Sequence, residues 1–266
     1  MDINYLIEVK NLEKKFGYFA AVDDVSISVK EKETIGIIGS NGAGKTTLVN
    51  LLTGQLKPDK GTVLFKGEDI THYNVEKRVA CGIVRTFQLL HVFNNISLYE
   101  NIALSALRKK ENSDFPKKIC FLNLKNNSDI NKKVNETIEI FNLQKIKDKI
   151  VSELPFGVQR KIEIAMAWIT EPQLFILDEP FAGINDYEID EIIEILKMLV
   201  DKKTIIIIEH KISKLKKIVD KLFVMHEGKI ICEGSCDEVL DHPSVRKSYW
   251  KMDWKMDSQK TTEIDT

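Results

Sequence analysis

Residues 39–46 read Gly39-Ser40-Asn41-Gly42-Ala43-Gly44-Lys45-Thr46, a full match to G-x-x-x-x-G-K-[ST]. The apolar run Thr34-Ile35-Gly36-Ile37-Ile38 precedes it, and Thr47-Leu48-Val49-Asn50-Leu51-Leu52 reads as helix after it. Strand, glycine-rich turn and helix form the context in which this motif cradles phosphate. The glycines let the backbone wrap so that several N–H groups point inward, and the helix N-terminus adds partial positive charge. Lys45 is expected to reach the β- and γ-phosphates as a point charge. Thr46 offers a hydroxyl to Mg2+, a hard cation suited to oxygen donors. Thr47 is an additional contact on the α-phosphate side.

The complement of such a loop is a carboxylate at the end of a buried strand. Leu174-Phe175-Ile176-Leu177-Asp178-Glu179 supplies it. Asp178 is expected to hold magnesium through water, and Glu179 to polarise an attacking water. The Asn-Lys-x-Asp pattern of guanine readers is absent from the sequence, which favours ATP or a loose choice of base.

Periodicity places these motifs in an α/β architecture with an inserted helical lobe. Val25, Ile27 and Val29 alternate with Ser26, Ser28 and Lys30 as in a half-buried strand. The runs 174–177 and 205–208 are continuously apolar, as in parallel strands covered on both faces. Helix patterns follow over 189–199 and 212–219. Between about 97 and 170 the chain changes character: Leu98, Ile102 and Leu107, then Val134, Ile138 and Phe141, are helix-spaced. The Lys- and Asn-rich segment 115–128 reads as a loop.

Charge narrows the function. The 39 basic and 40 acidic side chains leave a net charge of −1, without the basic excess of a nucleic-acid binder. The longest stretch free of Asp, Glu, Lys and Arg, Thr86 to Tyr99, falls short of the ~18 apolar residues of a membrane span. Met1-Asp2-Ile3-Asn4 has no basic start leading into an apolar run, and the expectation is a water-soluble intracellular chain. Cys81, Cys120, Cys232 and Cys236 are scattered, so reduced thiols in or near the core are expected rather than a metal site. Lys211, Lys214, Lys216, Lys217 and Lys221 read as a solvated helix face before a lipid-binding one. In the tail, Trp250-Lys251-Met252-Asp253 is followed by Trp254-Lys255-Met256-Asp257. As a helix it would put both tryptophans on one face, for docking on its own domain in preference to a partner; 258–266 is polar enough for disorder.

Further segments bring in a family. Leu154-Pro155-Phe156-Gly157-Val158-Gln159-Arg160, shortly before the acidic strand, resembles the Leu-Ser-Gly-Gly-Gln signature of ABC-transporter ATPases. Gln88 in Arg85-Thr86-Phe87-Gln88 looks like the Q-loop glutamine, Ala182-Gly183-Ile184-Asn185 like the D-loop, and His210 like the switch histidine. Order and spacing match from about Ile7 to Tyr249. Lys15-Phe16-Gly17 with Ala20-Ala21-Val22, the phrase Val84-Arg85-Thr86-Phe87-Gln88, the insertion before the signature and Ile208-Glu209-His210 are most similar to the G-type ATPase subunit of branched-chain amino-acid importers. ATPases of urea importers and lipopolysaccharide exporters share much of this pattern, and a soluble, non-transport ABC ATPase is the further alternative.

The resemblance implies a P-loop ABC cassette over residues 1–249, with a RecA-like core, an N-terminal antiparallel β part and a helical lobe with insertion at about 92–170, followed by a tail, 250–266. It implies ATP and Mg2+ as cofactors. Phe16 would stack on adenine, Gln88 would sense the γ-phosphate or magnesium, and His210 would hold the γ-phosphate and attacking water beside Glu179. Pro155, Phe156, Gly157, Val158 and Gln159 would serve a nucleotide in trans. Partners implied are a second ABC ATPase, a heterodimer before a homodimer, two membrane-spanning permeases and, indirectly, a solute-binding protein, with no nucleic acid. The location implied is the inner face of the plasma membrane. Two departures stand out. Pro155 replaces the signature Ser and brings neither hydroxyl nor N–H, and Asn185 replaces a frequent Asp; together they suggest two unequal ATP sites.

Overall fold

The structure, a computed structural model, describes residues 5–108, 128–200, 202–210 and 212–248. The chain runs through β1 (Tyr5–Phe16), β2 (Phe19–Lys30), β3 (Thr34–Ile38) and α1 (Lys45–Leu52). It continues through β4 (Lys60–Phe65), β5 (Glu68–Asp69), α2 (Val75–Ala80), β6 (Ile83–Arg85) and α3 (Leu98–Arg108). Next come α4 (Ser128–Ile140), α5 (Phe156–Trp168), β7 (Leu174–Asp178), α6 (Asp186–Val200) and β8 (Thr204–Glu209). The last elements are α7 (Ile212–Leu215), β9 (Lys221–His226), β10 (Lys229–Gly234), α8 (Cys236–Asp241) and α9 (Pro243–Ser248).

Two sheets result. One is antiparallel, in the order β2-β1-β4-β5; the other runs β10-β9-β3-β8-β7-β6. In the second sheet β9, β3, β8, β7 and β6 are parallel and β10 closes one edge antiparallel. Successive side chains of a strand point to opposite faces, and that alternation divides the core. Ile35, Ile37, Leu174, Ile176, Ile206 and Ile208 pack with α1 and the antiparallel sheet. Ile38, Phe175, Leu177, Ile205 and Ile207 pack on the other face with α3, α4, α5 and α6. Burial of each such Ile or Leu is worth about 1.5–3 kcal/mol over exposure, which explains why both core runs are wholly apolar.

The carboxyl ends of β3, β7, β8 and β6 all reach one edge, the place where open parallel sheets bind ligands. In the register of these strands Ile38 lies opposite Glu209 and Asp178 opposite Ile208. Buried Arg78 secures the far end of α1. Its Nη1 donates to the carbonyls of Leu51 and Leu52 at 2.7 and 2.6 Å, and its Nη2 to those of Ile70 and Thr71 at 2.9 and 3.0 Å. These bonds satisfy carbonyls that a helix end leaves orphaned, while burial lowers the Arg78 pKa to about 10.

One expected helix is cut short. The pattern over 212–219 forms α7 only to Leu215, followed by turns. Asp220 explains the stop: its carboxylate accepts from the Thr34 N–H at 2.8 Å and its own N–H donates to the Thr34 carbonyl at 2.8 Å. The chain is thereby tied to the start of β3 directly after its last i→i−4 bond, from the Val219 N–H to the Leu215 carbonyl at 3.1 Å.

The lysines around α7 face acids: Lys214 meets Asp186 and Asp190, Lys216 meets Asp237, and Lys221 meets Glu233. The expected helix face is not formed as such: of these lysines only Lys214 lies in α7, Lys216 follows it in a turn and Lys221 opens β9. Cys81, Cys232 and Cys236 are free thiols, half-buried or buried, and burial raises the pKa of the last two. Cys120, Lys211, segment 115–127 and the tryptophan repeat lie outside the described residues. Among the described residues no helix is long and apolar enough to cross a membrane.

Candidate functional site

At the end of β3 the backbone is clamped so closely that side chains are excluded. A Cβ on Gly39 would lie 2.3 Å from the Met225 carbonyl oxygen, and one on Gly44 would lie 2.1 Å from that of Ala21. Gly44 also has φ 102° and is the N-cap of α1, a conformation that favours glycine. No side chain caps this helix, so its first-turn N–H groups remain available to an anion. Ala43 is buried and its carbonyl accepts from the Gly228 N–H at 3.0 Å. Asn41, Gly42 and Thr46 are exposed, while Ser40 and Thr47 are half-buried. The Lys45 ammonium is folded back onto the carbonyls of Gly39 and Ser40 at 2.7 and 3.0 Å. Burial pushes its pKa down, against the pull of Glu179, Asp178 and Glu209.

Three side chains from three strand ends converge beside this loop. Glu179 follows β7 with φ 48°, an uncommon conformation for a side chain with a Cβ and one that concentrates at functional sites. Its Oε2 accepts from Gln88 Nε2 at 2.9 Å, and its Oε1 lies 2.8 Å from His210 Nε2. The other ring nitrogen of His210 lies 3.0 Å from the Gly39 carbonyl oxygen. Both partners of the ring are oxygen acceptors, so the ring bridges the acidic strand end and the phosphate loop. Glu209, just before it, accepts from the N–H groups of Phe181 and His210 at 2.9 and 3.0 Å. Burial raises the Glu209 pKa.

Asp178 is almost fully buried and its Oδ2 accepts from Arg85 Nη2 at 2.5 Å. Arg85 also donates from Nη1 to Asn50 Oδ1 at 2.6 Å. Thr86 Oγ1 accepts from the Asp178 N–H at 3.3 Å. Asp178 and Thr86 are thus buried and engaged with each other, and Asp178 also with Arg85, while Thr46 and Gln88 on the same edge are exposed.

The remaining candidates are arranged around it. Phe16 lies at the tip of the β1–β2 hairpin, 51% exposed and outside the core, with Lys14 Nζ 5.9 Å from its ring centre. Pro155 is the N-cap of α5 and Phe156 opens the helix, 45% exposed. Gly157 is buried: a Cβ there would lie 2.4 Å from the Glu188 carboxylate. Val158 is half-buried, and Gln159 Nε2 donates to the Leu154 carbonyl at 2.8 Å. Asn185 has a local role: its Oδ1 accepts from the Glu188 N–H at 3.0 Å and its N–H donates to Glu188 Oε2 at 3.1 Å. That reciprocal pair is a capping box for α6.

Four charged residues that the structure places at the site have no role assigned from the sequence: Arg85, Arg160 and Glu209 stand there only as parts of motifs, and Glu163 not at all. The available signal was a charge inside an apolar stretch, at the end of a short strand, at the end of an isoleucine run, or three residues from its opposite on one helix.

Comparison with known proteins follows the same outline. The family described as ABC transporter matches residues 22–182. A probable branched-chain amino acid transport ATP-binding protein, LivG, of Methanocaldococcus jannaschii is 34% identical, over 93% of this chain and 98% of its own length. The high-affinity branched-chain amino acid transport ATP-binding protein BraF of Pseudomonas aeruginosa is 32% identical, over 92% of this chain and 97% of its own length. A crystal structure of the ADP conformation of an ATP-binding cassette of an ABC transporter superposes with a TM-score of 0.80 at 32% identity, covering 92% of this chain and 98% of that one. With the phosphate loop, the acidic strand end and the helical lobe in this arrangement, the chain belongs to the ABC-transporter family of ATP-binding cassettes.

Proposed function

We propose that this chain hydrolyses ATP to drive import of branched-chain amino acids, or a related small polar solute, through partner membrane subunits. The observation that carries the catalytic part is the convergence of Gln88 and His210 on the two oxygens of Glu179, beside Lys45. The relatives' names support the cargo.

In this reading the P-loop residues Gly39 to Thr47 bind the phosphates, Lys45 leaves its two carbonyls for the β- and γ-phosphates, and Phe16 stacks on adenine. The Glu179 carboxylate takes a proton from the attacking water. His210 Nε2 turns from Glu179 to the γ-phosphate and steadies the transferred group and the attacking water, while Gln88 senses the γ-phosphate or magnesium. Thr46, Asp178 and Gln88 are all oxygen donors and so suit Mg2+. Among the described residues no group of three or more His, Cys, Asp or Glu could hold a metal by itself; phosphate oxygens and water would complete the shell. Bound Mg2+ supplies charge neutralisation at the phosphates.

Pro155, Phe156, Gly157, Val158 and Gln159 face a nucleotide held by a second, non-identical cassette, and the pair works at the inner face of the plasma membrane against two permeases fed by a solute-binding protein. The lack of a hydroxyl and an N–H at Pro155 supports inequality of the two sites. The near-neutral charge speaks against nucleic acid.

The test is reconstitution of the purified complex in vesicles, with ATP consumption and labelled leucine uptake read together. Coupled uptake abolished by Glu179→Gln supports the reading. Uptake and hydrolysis unaffected by that change would assign the chain a bracing role, with the sister cassette doing the chemistry.

A further inference from the structure

Helix α5 carries a buried ion pair that does not point into the helical core alone. Arg160 is 1% exposed and Glu163 5%, and Arg160 Nη1 donates to Glu163 Oε2 at 2.6 Å. The same guanidinium grips the loop that bears Gln88: Nη1 donates to the Phe87 carbonyl at 2.9 Å and Nη2 to the Gln88 carbonyl at 2.8 Å. Glu163 Oε1 accepts from the N–H groups of Phe87 and His91 at 3.4 and 3.3 Å. Four backbone groups of residues 87–91 are therefore held by one side-chain pair, more than 70 residues away along the chain.

Such a pair is expensive to bury, and a well-packed apolar pair of similar volume is often as stable or more so. Its return is geometric: a planar fork fixes two successive carbonyls in direction as well as distance. Those carbonyls belong to the peptide units from which the Gln88 side chain reaches Glu179. Arg160 also touches the signature, since its guanidinium lies 5.8 Å from the Phe156 ring centre, and both residues share the first turns of α5.

We propose that Arg160 and Glu163 are positioning residues that clasp the Gln88 loop to the signature helix, so that the nucleotide states of the two ATP sites are read together. The inference rests on the head-to-tail pairing proposed above, in which Gln88 serves this chain's nucleotide and residues 155–159 serve the partner's. A shift of Gln88 when its own phosphate is lost drags the two carbonyls, the fork and the start of α5 with it. The coupling then runs through a discrete hydrogen-bonded element.

The experiment uses the full chain in its intact complex and three variants: Arg160→Lys, which keeps the charge but not the fork, Glu163→Gln, and the double apolar exchange Arg160→Met with Glu163→Leu. Amide hydrogen exchange, MgATP affinity and steady-state ATP hydrolysis are measured on each. Expected are faster exchange at residues 87–91 with an unchanged phosphate loop, a MgATP affinity that falls far less than kcat because Gln88 is one donor among several, kcat lower by roughly 100-fold as for a displaced reacting group, and weaker cooperativity in ATP. The double exchange keeps the test open if a single variant fails to fold. Unchanged exchange at 87–91, or normal kcat and cooperativity in a folded variant, overturns the clasp; so does a loss of MgATP affinity that matches the loss of kcat. Wild-type complex lacking Glu179-dependent hydrolysis would instead overturn the function proposed above.

Discussion

His210 Nε2 lies 2.8 Å from Glu179 Oε1 while Nδ1 of the same ring lies 3.0 Å from the Gly39 carbonyl oxygen. One imidazole thus spans the ends of β7 and β3, the two strands that carry the acid and the phosphate loop. A γ-phosphate that competes for its Nε2 would release the ring from the acid.

Glu179→Gln keeps the shape of the side chain and removes its basicity. Hydrolysis is expected to fall by about 100- to 10,000-fold, the range contributed by a positioned general base. Nucleotide affinity should change far less, because Glu179 is held by Gln88 and His210 rather than by the phosphate loop. Single-turnover hydrolysis beside equilibrium binding of a fluorescent ATP analogue makes the comparison. A wild-type rate would remove Glu179 from the chemistry.

Lys45→Ala deletes the ammonium that rests on the Gly39 and Ser40 carbonyls. Charge-assisted hydrogen bonds contribute about 1.5–3 kcal/mol each, so a loss of roughly 100-fold in MgATP affinity is expected. Isothermal titration of the variant checks it, and retained affinity would count against the phosphate-loop assignment.

Much of this site was legible because its residues obey short-range rules. The glycine spacing around Lys45 states a backbone path, and the apolar runs before Asp178 and Glu209 state buried strands. What stayed hidden depends on pairing between distant elements. Nothing near Arg85 in sequence says that Asp178 will be its partner; that follows only once β6 is paired beside β7. The same holds for Arg160 and the carbonyls of Phe87 and Gln88. The helix expected over 212–219 failed for a related reason, since Asp220 is captured by Thr34 across the sheet.

Arg85 gives a stability prediction. Its side chain is 7% exposed and that of Asp178 is 3%, and removal of one partner leaves an uncompensated buried charge. Arg85→Ala is expected to cost roughly 3–5 kcal/mol, read as a lower urea midpoint with an unchanged slope. Arg85→Lys should recover only part, because an ammonium lacks the fork that reaches Asp178 and Asn50 together. A loss of under about 1 kcal/mol in Arg85→Ala, the scale of an exposed pair, would show that solvent reaches this site freely.

Glu209 gives a prediction in pH. The residue is 4% exposed, and burial, opposed by the N–H groups of Phe181 and His210, raises its pKa above the ordinary 4.5. In the window between that ordinary value, which the unfolded chain retains, and the raised folded value, the folded chain binds more protons than the unfolded one. By linkage the contribution of Glu209 to stability then declines as pH rises through the window and is constant above it. Glu209→Gln carries no charge at any of these pH values. The unfolding free energy of the variant minus that of the wild type should therefore climb from pH 4.5 upward and level off once the folded carboxyl is ionised. Urea unfolding of both proteins at half-unit intervals measures this difference directly, and its slope is independent of any hydrogen bond that the amide fails to replace. A difference that stays flat or falls with rising pH would mean that the N–H groups of Phe181 and His210 outweigh burial, and that Glu209 enters the folded state as a stabilised anion.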